Sequence, residues 1–113
     1  MPRDEPESGL PRGTLELLLL RALAREPMHG YGVVMHLHRA SNDLLRVEEG
    51  SVYPALHRLE QQGWLKAQDG VTDTGREAKF YALTAAGRKQ LVRELESWDR
   101  LSTAIGLIVR QAE

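Results

Sequence analysis

Apolar residues recur at helical spacing in four stretches of the chain, with a turn-rich segment between the third and the fourth. "LELLLLRALA" comes first, and its leucines cover most of a helix circumference, which predicts a helix at the centre of the core. Thr14 reads as its N-cap, Glu16 sits in a first turn where the helix dipole favours an acid, and Pro27 stops it at about Arg25 or Glu26. In "HGYGVVMHLHRAS", Val33, Val34 and Leu37 form the stripe of a second helix that closes at Ser41 and Asn42. Gly30, Tyr31 and Gly32 at its start predict a close approach of backbones.

The third helix comes from "GSVYPALHRLEQQGWL". Val52, Leu56 and Leu59 at i, i+4 and i+7 give it an inward face, and Gly63 suits the position just past its end. Tyr53 and Pro54 fall in what the pattern reads as the first turn, where N–H groups have no intrahelical acceptor and a proline is tolerated. Helix propensity given up there makes sense if that turn meets a ligand. The plainer alternative is that the pair only fixes an approach angle while Tyr53 packs on a neighbouring loop.

"WLKAQDG", "VTDTGRE" and "AKFYALT" then predict a two-stranded hairpin with a long tip, Trp64 opening its first strand as a core or hinge residue. Thr84 caps the last helix, "AAGRKQLVRELESWDRLSTAIGLIVR", in which Leu91, Leu95, Trp98, Leu101, Ile105 and Ile108 recur every three or four residues. Roughly 26 residues at 1.5 Å each make about 39 Å. A body of residues 10–83 has a diameter of roughly 30 Å, so the helix overshoots it while still apolar, and a second copy of the chain is the simplest cover. The expectation is a mainly α protein with a small β hairpin: a winged helix-turn-helix extended by a long C-terminal helix, and a homodimer. Residues 1–9, polar and with two prolines, read as a flexible arm, 10–83 as the winged-helix unit and 84–113 as the dimerisation helix.

Composition narrows the function. The 113 residues suit one domain plus an extra element, and no apolar run is long enough to span a bilayer. The start shows no signal-peptide pattern and the chain has no cysteine, which fits a cytoplasmic protein without disulfides or thiolate metal sites. The formal charge of −1 is low for a nucleic-acid binder. Arg3 against Asp4, Glu5 and Glu7 puts the arm at −2 and leaves the remainder at +1, so any DNA-facing surface must arise from segregated charge.

Such a surface can be drawn. A helix of about 12 residues is roughly 18 Å long and can lie across a major groove about 12 Å wide. With the apolar stripe inward, Ser51, Tyr53, Pro54, His57, Arg58 and Gln61 face out. Ser51 can cap the helix or bond a phosphate, Tyr53 offers a hydroxyl on a stiff ring, and His57 can donate or accept. Arg58 can meet a phosphate or a guanine edge, or be a solvated charge paired with Glu60 or Glu49. Arg76 and Lys79 in the hairpin can reach a backbone or a minor groove; among Asp69, Asp73 and Glu77 they also fit an ordinary solvated loop.

"RGTLELLLLRAL", "HGYGVVMHL", "EEGSVYPALHRLEQQGWL" and "TGREAKFYALTAAGRKQL" resemble, in this order, the PadR family of transcriptional regulators, from Arg12 to the start of the last helix. The resemblance implies a winged-helix repressor that dimerises through its C-terminal helix and binds pseudo-palindromic operator DNA. It makes Ser51, Tyr53, His57 and Arg58 recognition-helix candidates, Arg76 and Lys79 wing candidates, and Arg12 and Thr14 backbone contacts. Gly32 departs from the family pattern, which often has an acidic or larger residue there, and this loosens the start of the second helix. The single C-terminal helix resembles the compact branch of the family, so an effector would have to lie at the dimer interface.

Other chemistry finds little support. Of His29, His36, His38 and His57, His36 and His38 lie at i, i+2 on different sides of a helix, so no metal site is expected and all four read as surface histidines. No nucleophile motif, phosphate-cradling loop or cofactor motif is present, so neither an enzyme nor a cofactor is expected. Trp98 has two readings: packing within the C-terminal stripe, or a stacking surface for a planar hydrophobic effector between protomers. Two functions stay open on residue chemistry: a DNA-binding dimer, and a winged-helix module whose outer face binds protein.

Overall fold

The computed structural model describes residues 10–111; the arm assigned to residues 1–9 and the last two residues of the 84–113 helix lie outside it. Four helices and three strands follow in the order α1 (Arg12–Leu23), β1 (Met28–His29), α2 (Gly30–Ala40), α3 (Glu49–Gln61), β2 (Leu65–Val71), β3 (Glu77–Leu83) and α4 (Ala85–Val109).

Hydrophobic residues all round α1 place it at the centre. Leu15, Leu17, Leu19, Leu20, Ala22 and Leu23 are buried, and the helix packs on α2, α3, α4 and β3. Val33, Val34 and Leu37 of α2 and Val52, Ala55, Leu56 and Leu59 of α3 complete the helical core, which Leu65, Tyr81 and Leu83 close from the sheet. These are the stripes the periodicity predicts.

The start of α1 differs from expectation. The helix begins at Arg12 behind Pro11, and Leu15 N–H already donates to Pro11 O at 3.0 Å, so Thr14 stands inside the first turn and caps nothing. Glu16 falls beyond that turn. The far end stops at Leu23, earlier than Pro27 alone suggests, because Met28 and His29 extend into a strand. That strand is a third member of the sheet: β1 pairs antiparallel with β3 (Met28 with Tyr81, His29 with Phe80), and the order is β1-β3-β2. Two residues are too short for an alternating pattern to register in the sequence.

The hairpin is tighter than predicted. Pairing runs from Leu65↔Leu83 to Val71↔Glu77, which leaves only residues 72–76 at the tip and puts Lys79 within β3 opposite Asp69. Gly75 N–H donates to Thr72 O at 2.9 Å and Gly75 takes a φ of 84°, a turn that a left-handed glycine completes. The Thr72 hydroxyl accepts from Arg76 N–H at 3.2 Å and braces the tip. Trp64 precedes β2 and packs partly buried against the core.

Helix α4 is capped as expected: Thr84 Oγ1 accepts from Gly87 N–H at 3.0 Å. Of its apolar stripe only Leu91 is buried and Leu95 half-buried, whereas Trp98, Leu101, Ile105 and Ile108 are exposed, as are Leu107 and Val109. The long axis measures 58 Å against 31 and 27 Å, and the radius of gyration is 15.6 Å. A compact chain of this size would have about 13 Å, so α4 does overshoot its domain.

Candidate nucleic-acid interface

Helix α3 starts five residues before Pro54, behind Glu48, so the Tyr-Pro pair stands in the second turn and not the first. There Pro54 has no N–H to give the Gly50 carbonyl, which weakens the helix at that point. The buried set at 52, 55, 56 and 59 leaves Gly50, Tyr53, Pro54, His57 and Gln61 exposed along the opposite face. Tyr53, His57 and Gln61 succeed one another at i, i+4 and i+8 and form the row that can enter a groove.

Two expected members of that row behave differently. Ser51 is not the cap; it is the third residue of α3, and its Oγ is buried without a hydrogen-bond partner among the described residues. Arg58 pairs with neither Glu60 nor Glu49. Its Nε–H donates to Glu16 Oε2 of α1 at 3.0 Å, with a third of the arginine side chain still exposed. Arg12 lies one turn before Glu16 on α1 and is exposed, and Thr14 is half-buried.

Tyr53 lies over the start of α2, where the buried Gly30 makes room for it. A Cβ at Gly30 would stand 2.6 Å from Tyr53 Cζ, inside van der Waals contact. The tight approach predicted from "GYG" is therefore backbone against a tyrosine ring. The Tyr53 hydroxyl donates to Glu49 Oε2 at 3.3 Å. Burial, and then the Glu49 carboxylate, push the phenol above its usual value, so it stays a donor across the physiological range. The ring is packed on the start of α2, close to the plainer alternative, and 42% of the residue stays exposed.

A groove of about 730 Å³ runs between this end of α3 and the hairpin tip, lined by Tyr31, Glu49, Tyr53, Thr74, Arg76 and Glu77 among others. Arg76 is exposed at the tip and Lys79 along β3. Acids are interspersed, so the positive charge is local to these side chains.

Histidines His29 and His38 are structural, which corrects the reading of all four as surface residues. His29 Nδ1 accepts from Gly32 N–H at 3.2 Å and caps α2, its ring edge-on to Phe80 with centroids 5.2 Å apart. His38 Nε2 lies 3.0 Å from Val47 O and 3.1 Å from Val47 N, holding the loop that leads into α3. The sequence signal for the first was available, since a polar side chain directly before a helical stripe is an N-cap candidate.

No helix among the described residues is long and apolar enough to cross a membrane. Comparison with known proteins gives this geometry a context. The sequence matches the transcriptional regulator PadR-like family over residues 19–93. A transcriptional regulator of Mycobacterium tuberculosis is 33% identical over 94 residues, covering 83% of this chain and 84% of the relative. A PadR-like transcriptional regulator of Bacillus cereus superposes with a TM-score of 0.76 at 28% identity, over 90% of this chain and 96% of that one. A PadR family regulator of Eggerthella lenta does so with a TM-score of 0.75 at 31% identity, over 89% and 86%. The mainly α, winged-helix architecture is the one these regulators share, and the chain belongs to the PadR-like family of transcriptional regulators.

Proposed function

We propose that this regulator acts as a homodimeric, sequence-specific DNA-binding repressor, with residues 10–83 as the DNA-binding unit and 84–113 as the dimerisation helix. The observation that carries the reading is the exposed row Tyr53–His57–Gln61 on a helix whose other face is fully buried, beside a hairpin tip bearing Arg76. Two copies of α3 would enter successive major grooves about 34 Å apart. Tyr53 and His57 approach base edges; Arg58 joins them once it exchanges Glu16 for a phosphate or a guanine. Arg76 and Lys79 hold the backbone beside the groove, and Arg12 and Thr14 add contacts from the start of α1. Ser51 contributes through the backbone of the helix start, since its hydroxyl faces inward.

The exposed stripe Trp98, Leu101, Ile105 and Ile108 supports pairing of two α4 helices. Isolated apolar side chains on a surface are ordinary, but Trp98, Leu101, Ile105, Ile108 and Val109 share one face of the helix end and form a patch that a monomer rarely exposes. A planar hydrophobic effector would bind there, against Trp98. The experiment is an anisotropy titration on the DNA upstream of the chain's own gene at rising salt. A dimer with roughly 6–10 phosphate contacts loses about 10³–10⁵ in affinity between 50 and 200 mM salt. No binding, or a flat salt response, would instead favour a protein partner for this face.

A further inference from the structure

The end of α3 and the start of α4 are joined by more than the hairpin between them. Helix α3 closes around Gly63, whose φ of 80° a side chain would strain: Gly63 N–H donates to Glu60 O at 2.9 Å, and Trp64 N–H to Leu59 O at 3.1 Å. Two carbonyls emerge from this closure, and one residue of the other helix engages both. The Thr84 hydroxyl donates to Gly63 O at 2.6 Å, and Thr84 N–H donates to Trp64 O at 3.0 Å. The same hydroxyl oxygen accepts from Gly87 N–H, capping α4. Gly87 is buried against the Trp64 peptide, and a Cβ there would overlap Trp64 O and stand 3.2 Å from Trp64 Cα. The junction has no slack.

Capping α4 needs only the acceptor side of the Thr84 hydroxyl. Its proton goes to the Gly63 carbonyl just past the end of α3, so the residue does two separable things. We infer that Thr84, with Gly63 and Gly87, is a positioning residue that fixes the angle between α3 and α4 and thereby the operator half-site spacing the protein accepts. The inference rests on the dimeric DNA-binding reading above. Leverage makes it consequential: a tilt of about 10° over the roughly 37 Å of α4 moves the far end by about 6 Å, nearly two base-pair steps of 3.4 Å.

Thr84→Asp separates the two roles. A carboxylate is a good N-cap acceptor for Gly87 N–H but has no proton for Gly63 O; Thr84→Ser keeps both. The chain has no cysteine, so Gln61→Cys on α3 and Asp99→Cys on α4 each give a single spin-label site. Dipolar EPR then reads the α3–α3 and the α4–α4 distance across the dimer. In the Thr84→Asp background the α3–α3 distribution is expected to shift or widen by on the order of 5 Å while the α4–α4 distance stays put, and Thr84→Ser matches the parent. Preference among operators differing by one base pair of spacer should fall in parallel, with binding to an isolated half-site retained. An unchanged α3–α3 distance, or equal disturbance of both distances, overturns the inference and leaves Thr84 a cap only. If the aspartate variant does not fold, Thr84→Val, which loses both bonds, is set against Thr84→Ser by the same two distances, and an unchanged α3–α3 distance there again overturns the inference. Absence of any dipolar signal in the parent chain overturns the dimer itself, and this inference with it.

Discussion

Arg58 is bonded to Glu16 across 42 residues of sequence, Nε–H to Oε2 at 3.0 Å, so α3's one arginine is held by α1. Both side chains are partly exposed, and such a pair contributes about 0.2–1 kcal/mol. Glu16→Gln is expected to lower stability by that amount in denaturant unfolding. It should also raise DNA affinity and steepen the log–log salt slope by about 0.9, the share of one released counterion. A stability loss with unchanged slope would mean that Arg58 serves the fold alone.

Tyr53 and Gly30 give a second test, because the ring can be removed or displaced. Tyr53→Ala should lose operator affinity with the dimer intact by sedimentation. Gly30→Ala drives a methyl into the ring, with a stability loss of about 1–3 kcal/mol and a parallel fall in operator affinity. Operator affinity untouched by Tyr53→Ala would reduce this tyrosine to packing on α2.

Arg76→Ala and Lys79→Ala should weaken binding to all DNA sequences alike and lower the salt slope, Arg76→Ala by about one. A changed sequence preference with an unaltered slope would remove these residues from the backbone. Lys79 faces Asp69 across the hairpin, so its effect should be the smaller of the two.

On α4, Leu101→Glu or Ile105→Glu is expected to give a folded monomer by light scattering, since each apolar side chain fully buried at an interface contributes about 1.5–3 kcal/mol. Trp98 fluorescence should respond to planar hydrophobic compounds if the interface admits an effector, and stay indifferent if the indole only packs.

The buried Tyr81 sets an alkaline limit. Burial, and then Glu60, raise its phenol above the ordinary value of about 10. The folded chain therefore favours the protonated form. That contribution is complete below pH 10 and is lost as pH rises through the folded value. Tyr81→Phe should flatten the alkaline limb of a stability–pH curve, while an identical limb would locate the loss elsewhere.

Much of this molecule can be read from its residues because the core follows simple periodicity. Leu56 and Leu59, Val33 and Leu37, and the α4 stripe lie where their spacing puts them. What escaped was set by contacts remote in sequence or by backbone geometry at helix ends. Thr14 looked like a cap, but Pro11 starts α1 earlier. The Tyr53–Pro54 turn looked terminal because Glu49 and Gly50 carry no apolar signal that would extend the helix backwards. Nothing local to Arg58 points to Glu16. The family motifs name candidates on α3, yet only the fold distinguishes the open His57 from the inward Ser51 hydroxyl.

The two ends of α3 are unequally secured. Its final carbonyls, those of Arg58, Leu59 and Glu60, accept from the N–H groups of residues 62–64, and the turn they form is held by Thr84, whereas its beginning has no side-chain cap and loses one rung of its ladder at Pro54. Amide exchange should therefore be graded along the helix, fast in the opening turns and slow near Leu59. The less secured end is the one carrying Gly50 and Tyr53, so a partner would be met where the helix gives most readily while the far end keeps its bearing.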